Sequence, residues 1–185
     1  MNLIKLEGVC KRFGEKNLFN NLSMEIEQGE FVSIMGESGA GKTTLLNIIG
    51  MLEPPDRGNV TVCGQQSSSF SSRTATLLRR NHITETVKYN LSISVHFKKL
   101  SKAKKKQLYS SALERVGLPG YEKRKIYTLS GGEQQRIALA KIMVKSPQLI
   151  LADEPTGSLD ARNRDIVLAM LRQLNEEGKT IVVVT

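Results

Sequence analysis

Apolar and polar residues alternate through Leu22, Met24 and Ile26, a period of two that predicts a strand with one buried face. Leu3 to Lys11 carries a similar strand-like pattern. Phe31-Val32-Ser33-Ile34-Met35, entered through the turn Gln28-Gly29-Glu30, is a short apolar run that reads as a buried strand. Thr44-Leu45-Leu46-Asn47-Ile48-Ile49 reads as an apolar helix. Glu53-Pro54-Pro55-Asp56-Arg57-Gly58 ends it, because paired prolines forbid its continuation. Asn59 to Cys63 gives one more short strand, and Ser67 to Ser72 a Ser-rich surface connection.

From Arg73 to Gly117 the pattern turns helical and basic. Leu108, Ala112 and Val116 stand at i, i+4 spacing, and Gly117 is a C-terminal stop. Gly132 to Lys145 reads as an amphipathic helix with Ile137, Ala140 and Val144 on one face and Pro147 after its end. Leu149-Ile150-Leu151-Ala152 is a continuous apolar strand. Ala161 to Glu177 is a helix closed by Gly178, and Thr180 to Thr185 a further buried strand. Strands alternating with helices predict an α/β fold with a mainly parallel sheet, antiparallel strands at the N-terminus and an inserted helical subdomain. The expected organisation is one domain over 1–185, its α/β core at about 1–72 and 126–185 and its helical part at about 73–125.

The 185 residues suffice for one substantial core. No apolar run is long enough to span a bilayer and no signal-peptide pattern opens the chain, so work at a membrane requires another chain to cross it. Cys10 and Cys63 sit singly in expected strands and read as buried free thiols, not as a disulfide or metal site. The net charge of +9 concentrates in Lys98–Lys106 and Lys123-Arg124-Lys125. Solvated helix faces explain such runs, with anionic lipid or an acidic partner surface as the alternative. No aromatic stacking surface accompanies them, so no specific nucleic acid partner is expected.

Chemistry enters with Gly36-Glu37-Ser38-Gly39-Ala40-Gly41-Lys42-Thr43-Thr44, which fits G-x-x-x-x-G-K-[ST] between a strand and a helix. The glycines let successive backbone N–H groups turn inward on a polyphosphate, and the helix dipole reinforces them. Lys42 is placed to reach the β- and γ-phosphates and the Thr43 hydroxyl to ligate Mg²⁺. This is a nucleotide triphosphate site and a P-loop NTPase core.

Leu149 to Ala152 ends in Asp153 and Glu154, which puts two carboxylates at the carboxyl edge of the sheet. Asp153 suits Mg²⁺ and Glu154 suits the attacking water. Leu129-Ser130-Gly131-Gly132-Glu133-Gln134-Gln135-Arg136 supplies a second anion-binding helix start. Two such starts and one triphosphate imply that one of them serves another subunit's nucleotide.

In combination these motifs resemble the ATP-binding cassette (ABC) ATPases, whose signature looks like Leu129 to Gln134 and whose D-loop and its approach look like Pro155-Thr156-Gly157-Ser158-Leu159-Asp160. Phe13 in Lys11-Arg12-Phe13-Gly14 falls where the family places an aromatic residue against adenine. The resemblance implies a head-to-tail homodimer or paired cassette sandwiching two ATP, with Gly36 to Thr44, Asp153 and Glu154 of one subunit facing Ser130, Gly131 and Gly132 of the other. ATP and Mg²⁺ are the implied cofactors. A separate transmembrane permease is the implied partner, and the cytoplasmic face of the membrane the implied location. The loop and the Asp153–Asp160 stretch look most like the branch of lipoprotein-release, macrolide and antimicrobial-peptide exporters. A soluble ABC protein acting on nucleic acid or ribosomes, and a silent ATP-binding module, are the alternative readings.

Two pieces of the family pattern are missing. No Gln stands near Asn81-His82-Ile83-Thr84, where the family senses Mg²⁺ and touches its membrane partner, since Gln65 and Gln66 fall too early. The switch His would follow Ile181-Val182-Val183-Val184-Thr185. His82 and His96 lie in the wrong parts of the chain to replace it. Unseen stretches, truncation and degeneracy each explain these gaps, and the first is the expectation adopted.

Overall fold

The computed structural model describes residues 2–66, 75–78 and 101–185. They fold as two compact units. The first comprises 1–77, 148–154 and 175–185, and the second 78–147 and 155–174.

In the first unit β1 (Asn2–Phe13) and β2 (Lys16–Glu27) form an antiparallel hairpin, with Phe13 opposite Lys16 across the turn Gly14-Glu15. β4 (Arg57–Val62) adds antiparallel to the other edge of β1, and β5 (Gln65–Gln66) pairs with β4. Gly58 allows the close approach of β4 to β1. It lies at φ +91°, and a Cβ there would collide with the carbonyl oxygens of Glu7 and Gly8. The buried Lys11 ammonium donates to the Pro54 carbonyl at 2.8 Å and pairs with Glu53 at 3.0 Å, tying the proline turn to β1.

The second sheet has the order β3 (Phe31–Ile34), β8 (Thr180–Val184), β7 (Leu149–Asp153), β6 (Ala75–Leu78), and β8 is parallel to both its neighbours. All five β8 residues and the first four of β7 are buried. Such doubly covered strands read as unbroken apolar runs. Helix α1 (Lys42–Ile49) lays Leu45, Leu46, Ile48 and Ile49 into a core with Leu149, Leu151, Val182 and Val184, and Ile4, Leu6, Val60 and Val62 belong to the same cluster. Burying each such side chain is worth about 1.5–3 kcal/mol.

The second unit holds α2 (Lys102–Arg115), two 3₁₀ turns (Tyr121–Lys123 and Ile126–Thr128), α3 (Gly131–Lys145) and α4 (Ala161–Glu176), whose last residues belong to the first unit. Ser101 caps α2, and Gly117 at φ +69° closes it where a stop was expected. Among the described residues of this unit 14 are Lys or Arg and five are Asp or Glu, so it is strongly basic. The lysines crowding the start of α2 oppose the helix dipole, and the first turn holds no acid to offset them.

The expected fold class stands: a mainly parallel sheet, antiparallel N-terminal strands and a helical part. Two local expectations do not. Within the stretch read as helical from Arg73 to Gly117, Ala75-Thr76-Leu77-Leu78 is a sheet strand, because the open edge of β7 outweighs weak local preference. Cys63 lies not in a strand but in the turn after β4 at φ +50°, and both thiols are half-buried. The Ser-rich connection, Asn81–Thr84, His82 and His96 lie outside the described residues. The sequence runs without interruption from Ile83 to Thr84, so the expectation of an unseen Gln-bearing stretch between them fails.

Candidate functional site

The parallel register builds the site. Ile34 pairs with Val184 and Val184 with Asp153, so three strand ends stand in one row at the carboxyl edge of the sheet. Thr185 N–H extends the row by donating to the Ile34 carbonyl at 3.2 Å. From that edge Met35 to Gly41 loops into α1. Gly39 at φ +78° and Gly41 at φ +92° take left-handed conformations that a side chain would strain. Lys42 folds back across this loop and donates from Nζ to the carbonyls of Gly36 at 2.6 Å and Glu37 at 3.0 Å. The Ala40 N–H closes a turn on the Glu37 carbonyl at 3.2 Å.

Thr43, in the first turn of α1, donates its hydroxyl to Asp153 Oδ1 at 3.0 Å. This is a pair of hard oxygen donors at the mouth of an anion-binding loop. It fits Mg²⁺, which takes one or two protein oxygens and completes its shell from phosphate and water. Among the described residues no cluster of three or more His, Cys, Asp or Glu offers a closed metal cage. Glu154 follows on the exposed side of the edge. Its backbone is held at φ +45° by an N–H bond to the Val184 carbonyl at 3.0 Å. A left-handed glutamate is uncommon, and such conformations cluster where function fixes a side chain's direction.

Phe13 lies at the tip of the β1–β2 hairpin, 52% exposed, with the Lys11 ammonium 5.4 Å from its ring centre. The hairpin reaches the loop through residues that the sequence did not single out. Lys16 Nζ donates to the Gly39 carbonyl at 3.0 Å, and a Cβ on Gly41 would press within 3.1 Å of the Phe19 ring. The hairpin therefore buttresses the loop at the Gly39 carbonyl and at Gly41. Alternation through Leu22, Met24 and Ile26 would have put Phe19 on the opposite face, but the register shift between the Val9–Leu22 and Lys11–Phe19 pairs returns it to partial burial against the core.

The Ser-Gly-Gly start of α3 is a reciprocal cap. Ser130 Oγ accepts from the Glu133 N–H at 3.3 Å, and Glu133 Oε2 accepts from the Ser130 N–H at 2.8 Å. Tyr121 adds its hydroxyl to Glu133 Oε1 at 2.9 Å. The Ser130 N–H, and then the tyrosine, hold the Glu133 carboxyl below the usual range. A group with a depressed folded pKa stabilises above its unfolded value, and that contribution is lost as pH falls through the folded one. Ser130→Ala is therefore expected to cost about 1 kcal/mol at neutral pH. The cost should shrink once the pH falls below the ordinary glutamate range, as urea unfolding at several pH values would report.

Gly132 is buried against Asn163, and Asp160 caps α4 by accepting the Asn163 N–H at 2.9 Å. Asn163 sits three residues after the cap, a spacing that could have marked it as part of the site. The first unit thus brings together Gly36 to Thr44, Asp153 and Glu154, with Phe13 at the exposed tip of the hairpin whose Lys16 and Phe19 touch the loop. The second brings together Ser130, Gly131, Gly132 and Asp160.

The ABC transporter family model matches residues 19–157. The macrolide export ATP-binding/permease protein MacB of Escherichia coli is 36% identical over 198 aligned positions, covering 99% of this chain and 31% of MacB. The chain thus spans about a third of that relative. ABC transporter ATP-binding protein MJ0796 of Methanocaldococcus jannaschii is 38% identical over 203 positions, covering 99% of this chain and 86% of that protein. Both alignments are longer than the chain itself, so both relatives carry residues inside the match that have no counterpart here. The dimeric post-hydrolysis structure of the MJ0796 cassette bound to ADP and Pi superposes with a TM-score of 0.86 at 35% identity, over 98% of this chain and 87% of that one. From its family match and from a likeness to solved cassettes that runs nearly end to end, the chain belongs to the ABC transporter family, as an ATP-binding cassette.

Proposed function

We propose that this chain hydrolyses Mg-ATP and that two copies, or this chain and a paired cassette, close head-to-tail on the nucleotide. The closure would drive export of a peptide, lipoprotein or drug through a separate membrane permease at the cytoplasmic face. The observation that carries the reading is the Thr43–Asp153 hydrogen bond of 3.0 Å at the mouth of the Gly36–Lys42 loop, with Glu154 next in sequence. The solved MJ0796 cassette is a dimer with ADP and Pi bound, which supports the closure, and MacB is an ATP-binding/permease protein, which supports coupling to a permease.

In this account Phe13 offers its face to adenine, and the loop N–H groups cradle the phosphates. Lys42 turns its ammonium from the Gly36 and Glu37 carbonyls to the β- and γ-phosphates, neutralising charge that grows as the γ-phosphoryl departs. Thr43 and Asp153 would hold Mg²⁺, which supplies charge neutralisation at the phosphates. Glu154 orients the attacking water and accepts its proton. Ser130, Gly131, Gly132 and Asp160 approach the other subunit's nucleotide, so that closure depends on the γ-phosphate.

One observation favours a second reading, a cassette that binds ATP without turning it over. No Gln stands between Gln66 and Gln107, and the relatives hold residues that this chain lacks. Phosphate release separates the two. Hydrolysis predicts release above background with Mg²⁺ and its loss in EDTA, whereas a silent cassette binds ATP and releases nothing under either condition.

A further inference from the structure

The Ser-Gly-Gly helix start and the Asp160 cap meet in one side chain, Asn163. A Cβ on Gly132 would fall on the Asn163 amide group, with Nδ2 only 2.8 Å away, so the amide rests directly on the Gly132 backbone. The same amide is hydrogen-bonded to Asp160. Nδ2 donates to Asp160 Oδ2 at 2.6 Å, while the Asn163 N–H donates to Oδ1 at 2.9 Å. These two bonds, the backbone one first, hold the Asp160 carboxyl below its usual range. Both are hydrogen bonds to a charged acceptor, the stronger kind. Asn163 has only two side-chain torsions, packs on Gly132 and is hydrogen-bonded to Asp160. A shift of the Gly132 backbone therefore moves the amide, and the amide moves Asp160.

We infer that Asn163 is a positioning residue that couples the Ser130–Gly132 helix start to Asp160, so that an anion seated on the helix start also fixes the aspartate. The inference rests on the proposed reading in which both groups approach a second subunit's nucleotide. It assigns a reason for glycine at 132, whose backbone is ordinary helix: a side chain there would displace the amide and leave Asp160 held by the Asn163 N–H alone.

Two substitutions divide coupling from packing. Asn163→Asp keeps nearly the same shape over Gly132 but sets a second carboxylate against Asp160, and Asn163→Ala removes the amide's contacts with Gly132 and Asp160 while keeping the backbone N–H bond. In a Glu154→Gln background, dimerisation is followed by light scattering as ATP is raised. Both substitutions are expected to raise the ATP concentration for half-maximal dimer on the order of tenfold. ATP affinity of the dilute monomer, read with a fluorescent analogue, should stay within about twofold, because the first unit's loop is untouched. A packing role alone leaves Asn163→Asp dimerising like its parent, and that result overturns the inference. Failure of Glu154→Gln itself to dimerise with ATP overturns the sandwich reading and the inference with it. The contact has its own test in melting temperature. Gly132→Ala is expected to lower it, and to lower it less when Asn163→Ala is also present. Additive losses would contradict the contact.

Discussion

Glu154→Gln is expected to lower phosphate release at least about 100-fold while leaving ATP binding intact, the range in which a positioned general base contributes. The amide keeps the shape of the side chain and its place at the sheet edge but cannot take a proton from water. The backbone at φ +45° fixes where that side chain starts, through the N–H bond to Val184, and neither depends on the carboxylate. An ATP-bound dimer should therefore accumulate, because closure precedes hydrolysis in the proposed cycle. Single-turnover phosphate release and light scattering on one preparation read both effects. Turnover at the parent rate would remove Glu154 from the chemistry and leave Asp153 as the next acid to test.

Lys42→Ala is expected to weaken ATP binding about 100-fold, the effect of losing a charge-assisted contact at a polyphosphate. The substitution acts twice. It removes the ammonium that would pair with the phosphates, and it releases the Gly36 and Glu37 carbonyls that this ammonium now bridges. Because the loop lies at the exposed edge of the sheet and α1 buries its opposite face, the fold should survive, with a melting temperature within a few degrees of the parent. Calorimetric titration measures the affinity. Undiminished binding would place the nucleotide elsewhere.

The centre of this site was legible in the sequence because its chemistry is local. A glycine-rich turn between an apolar strand and an apolar helix determines its own conformation, and an apolar strand ending in two acids determines where they emerge. Capping is local too, and the Ser130–Glu133 spacing stands in the sequence three residues apart. What the sequence did not disclose is tertiary. Lys16 and Phe19 meet the phosphate loop only because the β1–β2 hairpin folds over it. Asn163 meets Gly132 only through packing within the second unit, although its spacing from Asp160 was readable. The strand at 75–78 was hidden by a basic, helix-like neighbourhood, and the sheet edge beside β7 decided it. The left-handed backbone of Glu154 has no signature in residue type, since glutamate seldom adopts it.

In the proposed cycle Gly36 to Thr44 grips a polyphosphate and not merely a nucleoside. Calorimetric titration of the intact chain with ATP, ADP and AMP, each with Mg²⁺, tests it most directly. ATP and ADP are expected to bind, and AMP, which ends at the α-phosphate, to bind at least about 100-fold more weakly. AMP binding as tightly as ATP would mean that the adenosine moiety alone drives recognition, and it would contradict the assignment of the loop.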